Sequence, residues 1–235
     1  MIRENVFKIR KCISLTCSNI NREASSVIII AVSKGRTIEE IKDALDAGIT
    51  DIGENKVQEA IVKFNALGAT QNARRVKWHM IGHLQTNKVK DAVRIFDLIQ
   101  SVDSFRLARE IDKEAVKINK VQDILIEVKT SPETAKFGIK PEEAIDIIKE
   151  ISRLKNINLK GLFTIAPLAG SLEQTRPYFR KLKELLNEIN AIRDTQYAIR
   201  VLSMGMTLDF PIAIEEGANM IRLGRAIFEN MDLHG

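Results

Sequence analysis

A lysine set directly behind a buried strand is the first place where this sequence could do chemistry. Val27 to Ser33 is an unbroken run of apolar or small residues, mostly β-branched, and it leads into Lys34 and Gly35. Such a run reads as a strand buried on both faces, the kind found in parallel sheets. A strand interior has no cheap place for an ammonium, so Lys34 falls where the strand stops. In parallel α/β architectures that is the end where ligands bind. Two roles suit a lysine there. It can be a solvated strand-end residue, or it can be held at a barrel mouth to form a Schiff base or grip a phosphate.

Other strand ends also carry polar and glycine residues. Ser203-Met204-Gly205-Met206 and Arg222-Leu223-Gly224-Arg225 fall behind the last two strands. In parallel barrels, loops at those places commonly bind phosphate. Ser203 offers a hydroxyl, and Gly205 and Gly224 would let backbone N–H groups approach an anion. The competing reading is that the glycines only make tight turns. Arg222 stands between Ile221 and Leu223, so alternation turns it to the opposite face, toward the barrel axis. There it is a fixed donor or one half of an ion pair with a strand-end carboxylate such as Glu54. His79 and His83 flank a strand end as catalytic candidates, with a core hydrogen bond as the alternative for His79. Trp78, the single tryptophan, reads as packing.

These residues need elements to hold them. Residues 2–22 place Ile2, Val6, Ile9, Ile13, Cys17 and Ile20 at steps of three and four, which predicts an amphipathic helix ahead of the first strand. Thr37 with Glu40 forms a capping-box pattern, and Pro141 opens a later helix. Strands are expected at 27–33, 49–53, 76–81, 95–101, 122–128, 159–165, 199–202 and 219–223. Helices are expected from 37, 54, 84, 104, 141, 172, 208 and about 226. Eight β/α units in 235 residues match an α/β single-domain (β/α)8 TIM barrel. On this reading residues 1–235 are one domain, with an extra N-terminal helix at 1–22 and the barrel at 27–228. An open doubly wound sheet is the alternative.

Composition narrows the function. The net charge is +5, and basic residues are interspersed with acidic ones. No Lys/Arg block or aromatic-basic interleaving is present, which argues against nucleic acid. No apolar run nears the roughly 20 residues of a membrane span, and the N-terminus lacks a signal-peptide core. A cytoplasmic location is the expectation. Cys12 and Cys17 would point about 140° apart on a helix, so reduced thiols are expected. No Cys/His cluster has metal-ligand spacing.

Several blocks of the sequence resemble the pyridoxal phosphate homeostasis protein family. They are Ala31–Lys34, Gly53–Glu59, Trp78–Lys88, Gly161–Pro167, Leu202–Thr207 and Ile221–Gly224. They occur in family order and span almost the whole chain. The resemblance implies a barrel like the N-terminal domain of alanine racemase. It also implies pyridoxal 5′-phosphate bound as a Schiff base to Lys34. A phosphate site is implied at Ser203, Gly205, Gly224 and the backbone of Arg225, with Arg222 beside the pyridine nitrogen and Asn55 near the ring. Arg225 departs from the threonine usual at its position, and Thr207 stands where serine is common.

Together these readings lead to three function classes. The first is a non-enzymatic carrier that buffers pyridoxal 5′-phosphate in vitamin B6 and amino-acid homeostasis and hands it to pyridoxal phosphate-dependent apo-enzymes. The resemblance suggests a monomer. The second is an amino-acid racemase-like enzyme, which would need a base beyond Tyr178 and Tyr197, neither of which falls at a strand end. The third is an aldolase-type barrel whose lysine works without a cofactor. Imine formation needs neutral amine, so Lys34 is expected to be desolvated.

Overall fold

The computed structural model describes residues 1–68, 76–131, 137–167, 171–192 and 198–231. Eight strands, all parallel and in sequence order, close into one barrel. The strands are β1 Ile28–Val32, β2 Asp51–Glu54, β3 Lys77–Met80, β4 Leu98–Val102, β5 Gln122–Glu127, β6 Ile157–Phe163, β7 Val201–Ser203 and β8 Met220–Leu223. Helix α1, Ile2–Asn19, precedes them. Around the barrel run α2 Ile38–Asp46, α3 Val57–Gly68, α4 Val89–Ile95, α5 Phe105–Lys117, α6 Pro141–Ile151, α7 Arg176–Ile192, α8 Phe210–Glu215 and α9 Arg225–Phe228. The chain is therefore a TIM barrel with one added helix.

The sequence signals act where they stand. The Thr37 hydroxyl accepts the Glu40 N–H while the Glu40 carboxylate accepts the Thr37 N–H, closing the capping box of α2. Ser104 caps α5, and Pro141 occupies the first turn of α6, where its missing N–H is not needed. Helix α1 buries Ile2, Val6, Ile9, Ile13 and Cys17 along one face. It docks on the last helices, with Asn5 Nδ2 donating to the carbonyls of Ile227 and Glu229 at 3.0 and 2.9 Å. Cys12 and Cys17 are both free thiols on this helix. Among the described residues, no helix is long and apolar enough to cross a membrane.

Some boundaries differ from the periodic reading. α4 begins at Val89 rather than Leu84, because Gln85 is extended and Thr86–Lys88 form a single 3-10 turn. β4 begins at Leu98 rather than Ile95. Ile95 completes α4, and the Asp97 carboxylate caps the neighbouring strand by accepting the Trp78 N–H at 2.7 Å. Glu54 ends β2 instead of opening a helix. The long helix expected from Leu172 starts at Arg176, after a 3-10 turn.

Strand alternation sorts side chains into two layers. Ile30, Leu98, Leu125, Phe163 and Met220 fill the barrel axis. The opposite parity packs against the helices in one continuous apolar layer. Gly161 marks the tightest approach, since a Cβ there would lie 1.9 Å from the Val201 carbonyl oxygen. Gly161→Ala must therefore push β6 away from β7. We expect a loss of at least about 2 kcal/mol, the scale of overpacked cores, read as a lower urea midpoint by circular dichroism.

Candidate functional site

Lys34 sits in the turn directly after β1, and its side chain is exposed. The desolvation expected of it is not present here. Burial falls instead on Ser33, which is turned into the layer between sheet and α3. There Ser33 Oγ donates to Glu54 Oε1 at 2.5 Å, and Lys63 of α3 donates to the Ser33 carbonyl. Lys63 also bridges Glu54 and Glu59, each at 2.6 Å. The Gly35 N–H donates to Glu59 Oε1 at 2.6 Å. The residues on both sides of Lys34 are thus tied down, while its exposed side chain makes no hydrogen bond or ion pair among the described residues.

Glu54 is fully buried, and burial pushes its carboxyl above the usual range, against the bonds from Lys63 and Ser33. Its ion pair is with Lys63. This rules out the alternative in which Glu54 pairs with Arg222: Glu54 faces the helix layer, whereas Arg222 faces the axis.

The second part of the site is a cleft of 280 Å³ at the same end of the barrel, lined by Val32, Met206, Thr207, Arg222, Gly224 and Arg225 among others. That is near the lower bound, roughly 300 Å³, of small-molecule pockets. A larger groove between α6 and α7 lies at the opposite end of β6 and β7, away from the strand ends that carry Lys34, Arg222 and Arg225. β1 pairs with β8, Ala31 against Leu223, which brings Val32 beside Gly224. Lys34 follows two residues on. β1 also pairs with β2, Val32 against Gly53, so Asn55 lies at the same offset, just beyond the end of the neighbouring strand. Asn55 is half-buried, and its backbone presses against Gly82.

Gly205 has φ +89°, and a Cβ there would meet Ala213 at 2.6 Å, so only glycine lets this loop close on α8. The Met206 N–H is held by Asp209 Oδ1 at 2.5 Å. Burial raises the Asp209 carboxyl against that bond and the charge of Arg222. Thr207 Oγ1 accepts from the Ala226 N–H at 3.3 Å, linking the two loops. Arg225 is exposed at the rim.

Arg222 is 4% exposed and closes the cleft from inside the barrel. Its Nη1 donates to Ser203 Oγ at 2.9 Å and its Nη2 to the Thr164 carbonyl at 2.8 Å. The guanidinium lies over the Phe163 ring, 4.3 Å from its centroid. Burial lowers its pKa to about 10, opposed by the charges of Asp209 and Glu127, and it stays cationic at neutral pH. Ser203 is fully buried, and its hydroxyl is used twice, accepting from Arg222 and donating to Gln100. It faces the axis rather than the cleft.

His79 is likewise in the axis, bonded on both ring nitrogens to Asp51 and Gln100. His83 sits at the rim, with Nδ1 3.2 Å from Asp103 and its ring stacked on Phe137. Tyr178 lies in the first turn of α7 and not at a strand end, and Tyr197 is outside the described residues. Among the described residues no group of three or more potential metal ligands occurs.

Sequence reasoning missed Gln100, Lys63 and Glu127. The first could have been found by parity, as a lone amide on the axial face of β4. Lys63 shows in sequence only as an i,i+4 partner of Glu59, because its other partners, Glu54 and the Ser33 carbonyl, lie on other elements. Glu127 ends β5 on the axial face. Burial pushes its carboxyl up to about 7, Asp103 adds to this, and Arg222 opposes it.

A profile of the alanine racemase N-terminal domain matches residues 16–231. A pyridoxal phosphate homeostasis protein of Aquifex aeolicus is 40% identical over 225 residues, 96% of each chain. Its Haemophilus influenzae counterpart is 35% identical over 230 residues, 97% of this chain and 94% of the relative. Among solved structures, PipY of Synechococcus elongatus with PLP bound superposes with a TM-score of 0.85 at 33% identity, covering 97% of this chain and all of the other. Alanine racemase of Clostridium difficile shares the fold, with a TM-score of 0.74 at 17% identity. It matches 97% of this chain and 57% of that one.

The raised Glu127 carboxyl makes a testable claim. The folded protein holds this proton more tightly than the unfolded chain. Its stabilising contribution is thus complete below about pH 4.3 and is lost as pH rises through 7. Glu127→Gln removes the titration. In urea melts of the cofactor-free protein we expect the variant to gain about 1–3 kcal/mol on wild type between pH 4.5 and pH 8. A constant difference across that range would contradict the assignment.

Proposed function

The chain belongs to the pyridoxal phosphate homeostasis protein family, built on the alanine racemase N-terminal domain, and on that premise we propose that it binds, buffers and carries pyridoxal 5′-phosphate without turning over a substrate. The observation that carries the proposal is a small cleft between two glycine loops at the barrel mouth, lined by Arg222 and Arg225, with the exposed Lys34 two residues beyond the β1 strand that borders it. A phosphorylated aldehyde with a flat heteroaromatic ring fits that donor set.

In this reading the Gly205–Thr207 loop and Gly224 face the phosphate, with Arg225 adding charge at the rim. Each charge-assisted hydrogen bond there contributes roughly 1.5–3 kcal/mol. Lys34, exposed between its two anchored neighbours, would hold the aldehyde carbon as a Schiff base. Asn55 stands beside the ring. Ser203 acts through Arg222 instead of through the phosphate, because its hydroxyl is already committed on both sides.

When bound, the cofactor supplies an electron-accepting ring, most effective with its nitrogen protonated. Arg222 only donates, so at that nitrogen it keeps the ring unprotonated and the sink weak. A proton-transfer enzyme also needs a placed base, worth about 10²–10⁴-fold. His79 is engaged in the barrel and His83 is paired with Asp103. The one observation favouring a racemase-like reading is Glu127, a carboxyl at the mouth that titrates near neutrality. The reading further includes a cytoplasmic monomer that passes cofactor to apo-enzymes.

The test is α-proton exchange. Cofactor-loaded protein is incubated with a panel of L-amino acids in deuterated water and followed by NMR. We expect fewer than about one turnover per minute, against roughly 10 per second for a typical enzyme. Faster exchange, abolished by Lys34→Ala and reduced by Glu127→Gln, would replace the carrier with a catalyst.

A further inference from the structure

Inside the barrel, five side chains from five strands form one unbroken hydrogen-bonded line. Arg222 Nη1 donates to Ser203 Oγ at 2.9 Å, and Ser203 Oγ donates to Gln100 Oε1 at 2.6 Å. Gln100 Nε2 meets His79 Nδ1 at 3.1 Å, and His79 Nε2 meets Asp51 Oδ1 at 2.8 Å. Thr50 Oγ1 donates to the other oxygen of Asp51 at 2.6 Å. None of the five is more than 6% exposed.

The two ends fix every proton between them. A guanidinium can only donate, so Ser203 Oγ accepts from it and must spend its single hydrogen on Gln100 Oε1. The amide nitrogen of Gln100 then faces His79, whose Nδ1 must be the bare nitrogen. The ring proton sits on Nε2 and goes to Asp51, which as a carboxylate can only accept. Met220 supports the same orientation. Its sulfur, an acceptor and not a donor, lies 3.2 Å from Gln100 Nε2.

This line has a mechanical consequence for Arg222. Among the described residues no carboxylate lies within ion-pair distance of it. Its plane is set by Ser203, the Thr164 carbonyl and the Phe163 ring. Of these, only Ser203 has a hydroxyl that could rotate away, and Gln100 stops it. We propose that Gln100, braced by His79 and Asp51, is a positioning residue that holds Ser203 and thereby aims the Arg222 guanidinium at the ring nitrogen of the bound cofactor. The proposal rests on the reading above that pyridoxal 5′-phosphate binds with its ring nitrogen toward Arg222.

The test compares two ligands in wild type and Gln100→Leu. One is pyridoxal 5′-phosphate. The other is its deaza analogue, in which carbon replaces the ring nitrogen. A loosened Arg222 harms only the ligand that has a nitrogen to meet. We expect Gln100→Leu to weaken the natural cofactor by about tenfold, equivalent to roughly 1.4 kcal/mol, and the deaza analogue by less than about twofold. Equal losses, or no loss for either, would overturn the strut. A second measurement needs neither variant nor cofactor. Nitrogen-15 NMR of the cofactor-free wild type should show His79 neutral with its proton on Nε2 at pH 7, and a proton on Nδ1 would overturn the proposal. Failure of wild type to bind pyridoxal 5′-phosphate would instead defeat the carrier reading, and the His79 tautomer would still decide the strut.

Discussion

A cation buried in the barrel sets the terms for everything around it. Arg222 is almost wholly out of water, and among the described residues no carboxylate touches it. Leaving a buried charge without partners is expensive. The barrel answers with a carbonyl, a hydroxyl and an aromatic face at contact, and with Asp209 and Glu127 at longer range. Closing the axis below the cleft with a polar line, where a pure apolar plug would pack as well, follows from this one residue. Burial raises the carboxyls of Glu127 and Asp209, and the same charge only partly opposes that rise.

The strand period separates two tasks at the mouth. Axial positions on β7 and β8, Ser203 and Arg222, shape the floor of the cleft. Positions of the other parity, Ser33 and Glu54, face α3 and anchor the Lys34 turn through Lys63 and Glu59. The lysine is therefore positioned from outside the barrel and the arginine from inside. Binding contacts of this sort hold a cofactor equally in any state, so they give affinity without rate. A carrier needs no more than that.

Much of the fold was legible because its signals are local. The capping box at Thr37 and Glu40, Pro141, and the β-branched run before Lys34 each act within a few residues. Alternation alone turned Arg222 inward. The site was legible less evenly. Ser203 reads as a phosphate donor from its loop, but its hydroxyl follows strand parity into the axis. Lys63 sits 30 residues from the carbonyl it holds, a separation that no spacing rule reports. Glu54 was one candidate partner for Arg222 because both stand near strand ends. Only closure of the barrel shows that they stand on opposite faces of the sheet. Lys34 was expected to be desolvated, and the turn instead buries its neighbour.

We propose Lys34 as the attachment point, and trapping by reduction reads it out. Protein loaded with pyridoxal 5′-phosphate is treated with borohydride, which traps an imine as a stable amine, and is then digested and mapped by mass spectrometry. A single modified lysine, Lys34, and no trapped product in Lys34→Ala are expected. Modification of Lys63 or Lys136 with Lys34 untouched would contradict it.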